Sequence, residues 1–111
     1  MIKEIETLIE DIKDDYAKFM APVDDVSKQM NERFRSGVSV KEGRKYIKIL
    51  TDRSVWGFVV NTDNDNKFKR GDILMAAGYN APARNHPRGN IFGKYSVSWT
   101  GPHYIGDGRL L

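Results

Sequence analysis

The chain contains no cysteine. That excludes a disulfide framework, a thiolate metal cluster and a cysteine nucleophile. It also makes a reducing, cytoplasmic compartment the expected setting. Long apolar runs are missing too: none approaches the ~20 residues that span a bilayer, so no membrane partner is expected. Met1 to Tyr16 interleave apolar with acidic positions and leave no core for a signal peptide. Histidine occurs twice, at His86 and His103, a spacing that makes no metal-ligand pair on one element. No metal and no cofactor is expected. What remains is a chain of 111 residues, 40% hydrophobic and 30% charged, a globular balance for one domain with a helical appendage.

Charge and composition change near Ser36–Gly37. Residues 1–36 hold six basic and nine acidic side chains, a net of −3. Residues 37–111 hold twelve basic and six acidic ones, a net of +6, with all ten glycines, both tryptophans and three of the four prolines. The division is therefore an acidic helical segment, 1–36, and a basic β module, 37–111. The two have different partners, or they attract each other.

In the first segment apolar residues fall at Ile2, Ile5, Ile9, Ile12, Tyr16, Phe19, Val23, Val26 and Met30. Steps of three and four alternate throughout, which is a heptad seam. Leu8 and Met20 flank it. Pro22 lacks the donor a helix interior needs, so the helix kinks there or stops near Met20 and restarts, with Asp24 and Asp25 suiting a new N-terminus. Gly37 suits a C-terminal stop. Ile2, Ile5, Ile9, Ile12, Tyr16 and Phe19 thus form a seam for self-association or for docking on a foreign protein. The competing expectation is that the stripe covers the protein's own sheet, since so small a domain has few other surfaces on which to bury it.

The second segment reads as short strands: Lys45–Thr51, a turn at Asp52-Arg53-Ser54, Val55–Val60 apolar on both faces and so central, Phe68–Met75 with Gly71 as a bulge, and Tyr95–Thr100 alternating large with small. His103-Tyr104-Ile105 adds a short last strand. The fold class expected is α+β: a long or Pro-broken helix, then a small antiparallel sheet or SH3-like barrel of four to five strands. Phe68 to Leu74 resembles an element of small SH3-like barrels. Asp63-Asn64-Asp65-Asn66 opens like a calcium loop, but it lacks the glycine and glutamate an EF-hand then needs and reads as a solvated turn.

Between the third and fourth strands, residues 76–94 lack strand or helix pattern, and long irregular loops in small domains are often functional. Arg84, Arg88 and Lys94 bring positive charge. Asn80, Asn85 and Asn90 bring paired donors and acceptors, and His86 titrates near neutrality. Pro82 and Pro87 stiffen the chain, and Tyr79 and Phe92 offer flat faces. Two guanidiniums with stacking rings suit a phosphate-bearing ligand. Lys67, Lys69 and Arg70 would extend the basic field. The leading expectation is a non-enzymatic binding protein that engages nucleic acid, a nucleotide or an acidic protein through residues 79–94. The sharper alternative is an enzyme acting on a nucleotide or nucleic acid through His86, with an arginine stabilising the developing anion. His103 is a second candidate. The bland alternative pairs the arginines with Asp63, Asp72 or Asp107 and lets the loop close the fold.

Gly71-Asp72-Ile73-Leu74-Met75-Ala76-Ala77-Gly78-Tyr79-Asn80 and Trp99-Thr100-Gly101-Pro102-His103-Tyr104 resemble small proteins of tailed, T4-like bacteriophages. The resemblance implies a bacterial host cytoplasm and a small protein that modulates host or phage machinery, including by inhibiting a host factor through the helix. It carries no activity and no site residue.

Overall fold

The computed structural model describes residues 1–52 and 54–103. Two helices, α1 (Ile2–Met20) and α2 (Asp25–Gly37), precede β1 (Val38–Glu42), β2 (Tyr46–Thr51), β3 (Ser54–Val60), β4 (Ile73–Leu74), β5 (Ala76–Gly78), β6 (Ala81–Pro82), β7 (Ser96–Ser98) and β8 (Gly101–His103). β1 to β4 form one antiparallel sheet in chain order. β5–β6 and β7–β8 are separate two-stranded ribbons. This is the expected α+β arrangement. Among the described residues the four-stranded sheet stays open, with β1 and β4 at its edges.

Pro22 breaks the helix. Ala21 takes the left-handed conformation, its N–H bonding back to Ala17 O, and ends α1. Asp24, not Pro22, starts α2: its carboxylate accepts from Ser27 N at 2.8 Å, and Ser27 Oγ accepts from Asp24 N at 3.2 Å. Across this break α2 folds back along α1. Phe34 stacks on Tyr16 with ring centroids 4.0 Å apart, and Arg35 pairs with Glu10 and Asp14.

The reversal corrects the seam. Ile5, Ile12 and Tyr16 lie in the interior, and so does Leu8, which was assigned to the flank. The buried stripe Ile5-Leu8-Ile12-Tyr16 is ordinary amphipathic spacing; Ile5, Leu8 and Ile12 lie on Ile47, Ile49, Trp56 and Val59 of the sheet, and Tyr16 packs against Phe34 and Trp99. Half of the six proposed docking residues are thus consumed internally. Ile9 is half-buried against the same core, and only Ile2 and Phe19 stay exposed. Val23, Val26 and Met30, the continuation of the heptad, are exposed, Val23 in the connection before α2 and the other two on it.

β3 is buried on both faces, as its sequence required of a central strand. The register slips between Ile49 and Leu50, so that Trp56 is the extra residue of a bulge. Trp56 swings to the helix face, where its Nε1 donates to Ser98 O at 2.7 Å, while Phe58 and Val60 face the opposite side with Phe68 and Leu74. The sheet therefore carries a core on each face. On the helix face, Tyr95 and Trp99 meet α1: Tyr95 OH donates to Asp11, and Asp15 accepts from Trp99 N at 2.9 Å. Burial, together with the Asp11 carboxylate, pushes the Tyr95 hydroxyl above its usual range. Among the described residues the acidic and basic segments are joined by such hydrogen bonds and not by ion pairs.

Several expected elements shift, and β1 was not expected at all. The third strand shrinks to Ile73–Leu74, because Phe68–Asp72 is a turn in which Asp65 accepts from Lys67 N and Phe68 N, and Asp72 from Lys69 N. β1 lies in a stretch too polar to stand out as a strand. β8 begins on Gly101-Pro102, which had been given to the turn; Tyr104, Ile105, Asp107 and Arg53 lie outside the described residues. No described helix is long and apolar enough to cross a membrane.

Candidate cation-lined hollow

The β1–β2 hairpin reverses at Gly43, whose N–H bonds Tyr46 O at 2.9 Å. A Cβ at Gly43 would stand 2.8 Å from that oxygen, so the turn admits only glycine without a shift. Asn61 clamps the tip, its Nδ2 on Gly43 O at 3.0 Å and its N on Lys45 O at 2.7 Å. The register then sets Lys41 directly opposite Lys48 on the sheet face away from the helices. Like charges placed opposite one another work against the sheet.

Beside this pair lies a hollow of about 310 Å³ lined by Lys41, Arg44, Lys45, Lys48, Tyr46 and Phe58, with Asn80 on its rim. Four basic residues line it with one acidic residue, Glu42, which alternation along β1 places on the other face of the sheet from Lys41. Lys48 is half-buried. Its Nζ bonds Asn80 Oδ1 at 2.8 Å and stands 4.1 Å from the centroid of the exposed Tyr79 ring. Lys41, Arg44 and Lys45 are exposed and make no ion pair among the described residues.

The loop expected to hold the ligand is built differently. Arg84 forks onto Asp65 with both contacts at 2.9 Å, also donates to Tyr46 OH, and lies over the Phe68 ring. That guanidinium, helped by the N–H groups of Lys67 and Phe68, holds the Asp65 carboxyl well below its usual range. Asp65 is consequently an anchor, its side chain 3% exposed, where a solvated turn was expected. Arg70 pairs with Asp63 at 3.0 Å and Asn61 at 3.1 Å, and Lys67 Nζ donates to Arg84 O at 2.6 Å.

Arg88, 7% exposed, is enclosed by Asn85 Oδ1, His86 O and Met75 Sδ. Asn90 bridges Arg70 O and Asp72, and its Oδ1 accepts from Phe92 N. Arg88 N bonds Ile73 O and Ile91 N bonds Gly71 O, which laces 88–91 along 71–73. Gly89 turns at φ 127°, where a Cβ would meet Lys94 O at 2.5 Å, so this glycine permits chain to approach chain and not a ligand.

Residues 79–94 therefore do not converge on one surface. Tyr79 and Asn80 stand at the cation-lined hollow. Arg84, Asn85, Arg88 and Asn90 are structural. Lys69 and Lys94 are exposed elsewhere. His86 is exposed, its N–H satisfied by Asn85, and no described side chain orients its imidazole. The side chain of His103 lies outside the described residues. Among the described residues no group of three or more His, Asp or Glu is placed to hold a metal ion.

Lys45 and Lys48 were read only as part of a strand, and Lys41 and Arg44 were not singled out. The signal was present as four cations in eight residues around one glycine. No protein-family model, no curated protein and no solved structure matches this chain.

Proposed function

We propose that the protein binds a phosphate-bearing polymer in the hollow of the β1–β2 hairpin, without catalysis. Single-stranded nucleic acid is the ligand that uses both the cations and the aromatic surfaces there. The supporting observation is the opposition of Lys41 to Lys48, flanked by Arg44 and Lys45, in a concave site whose lining holds one acidic residue. Such a pair is unfavourable when empty and favourable with phosphates between its ammonium groups. Tyr79, held beside Lys48, offers a base a stacking face. The ligand class is that expected from the sequence, moved from the loop onto the hairpin. The setting proposed with it is a bacterial host cytoplasm, from the missing cysteines and the likeness to T4-like phage proteins.

Anisotropy of a labelled oligothymidylate tests this. Four phosphate contacts on a single strand give log K a slope of about −2.8 against log salt. The triple variant Lys41→Gln, Arg44→Gln, Lys45→Gln should lose most of that slope and at least tenfold in affinity at low salt. His86→Ala with Lys94→Ala should lose little. A flat salt response, or a larger loss in the loop variant, refutes the assignment.

A further inference from the structure

Strand β1 is an edge of the sheet, and among the described residues its outer side has no strand beside it. Gly43 N bonds Tyr46 O, and Asp52 N bonds Gly37 O at 2.7 Å. With Lys41 opposite Lys48, the alternation of an antiparallel ladder then makes the odd residues of β1 the ones bonded to β2. The N–H and C=O groups of Val38, Val40 and Glu42 consequently point away from the sheet. Those of Val40 and Glu42 have no backbone or side-chain partner among the described residues, and Val38 is also the C-cap of α2. The strand carries neither proline nor bulge, two of the devices that blunt an edge.

An apolar groove of about 400 Å³ runs beside this edge, between it and the N-terminal half of α1. Ile2, Ile5, Ile9, Val40 and Ile47 wall it. Ile2 is 78% exposed and Val40 39% exposed. Val40 lies on the helix face of the sheet, across from Ile49, so the groove and the open backbone edge are one continuous surface.

We propose that this surface receives a second copy of the chain, β1 pairing antiparallel with β1 of the copy about a two-fold axis at Val40. The register complements itself. Val40 meets its equivalent, Val38 meets Glu42, and Ser39 meets Lys41, so no residue faces a like charge. Val38, Val40 and Glu42 of each strand use the outward N–H and C=O groups, and the two four-stranded sheets become one of eight strands. The Val40 side chains come together on the helix face and close the two grooves toward each other. Strand pairing over five residues is a small interface; removal of the Ile2 and Val40 surfaces from water supplies the remainder. The site is distinct from the helix seam, and it does not depend on the ligand proposed for the hairpin.

Sedimentation equilibrium from about 1 μM to about 500 μM spans the range in which small interfaces assemble. The mass should rise from 12.7 kDa toward twice that value with concentration. Val40→Pro, which removes an outward donor at an edge where proline is tolerated, should stay monomeric with an unchanged circular dichroism spectrum. Should that variant unfold, Val40→Lys keeps the backbone intact and should also remain monomeric. Hydrogen exchange supplies a readout without substitution: the amides of Val40 and Glu42 should be protected in concentrated and not in dilute protein. A mass of 12.7 kDa at every concentration overturns the proposal. So does a dimer that survives both Val40 variants, or one dissociated by Phe19→Asp, which would place association on the helices.

Discussion

Replacing Lys41 by glutamine should stabilise the fold while weakening the ligand. Lys41 and Lys48 are directly opposed across β1 and β2, and Lys48 is tied to Asn80. Two ammonium groups ~7 Å apart in a water-like dielectric repel by about 0.6 kcal/mol, within the ~0.2–1 kcal/mol measured for cross-strand pairs. At ~0.01 M salt screening leaves about 0.5 kcal/mol of this, and at 1 M less than about 0.1. Unfolding entropy of ~2.1 cal/mol/K per residue over this chain converts 0.5 kcal/mol into about 2 °C. Thermal melts of Lys41→Gln at low salt should therefore run ~2 °C above the wild type, and the gain should vanish at 1 M salt. The same substitution should lower the slope of log K for oligothymidylate against log salt by about 0.7, the value of one phosphate contact. A lower melting temperature, or a gain indifferent to salt, would show that the pair does not repel. Unaltered oligonucleotide affinity would show that the hollow is not where phosphate binds.

Two further outcomes follow from the core and the buried ion pair. In dilute protein Leu8→Ala should cost about 3 kcal/mol in urea unfolding, as for a fully buried leucine, and Ile2→Ala less than about 0.5; equal costs would restore the heptad seam. Asp65 contributes stability that is complete above the unfolded-chain carboxyl value of about 4 and disappears as pH falls through its lower folded value. Asp65→Asn should thus be destabilising at pH 7, with the gap to wild type narrowing as pH falls from about 4 to about 2; urea midpoints across that range check it, and a gap that does not narrow contradicts the pairing with Arg84.

Much of the frame was legible from local pattern. The step between Ser36 and Gly37 marks the change from helix to strand to within one residue, since α2 ends at Gly37. Pro22 announced a break because a missing donor acts locally. Val55–Val60 was readable as central from its two apolar faces, and Tyr95, Val97 and Trp99 as one face from alternation. Such signals come from steric and hydrophobic periodicity within a few residues. The seam was overread. Its register continues through Val23, Val26 and Met30, but the left-handed turn at Ala21 sends that half of the pattern to the surface.

The loop shows where local reading ends. A run containing Arg84, Asn85, His86, Arg88 and Asn90 has the composition of an anion site, and the same groups are what a chain without regular structure needs to satisfy its own backbone. Whether a guanidinium is available depends on a carboxylate nineteen residues away, Asp65, which only the packing of Phe68 and Tyr46 brings beneath Arg84. Composition and spacing by themselves determined an acidic helical segment broken at proline, a basic sheet, and a surplus of positive charge. Tertiary structure alone decided which cations are already neutralised and which remain facing solvent, because ion pairing follows distances that chain order does not contain.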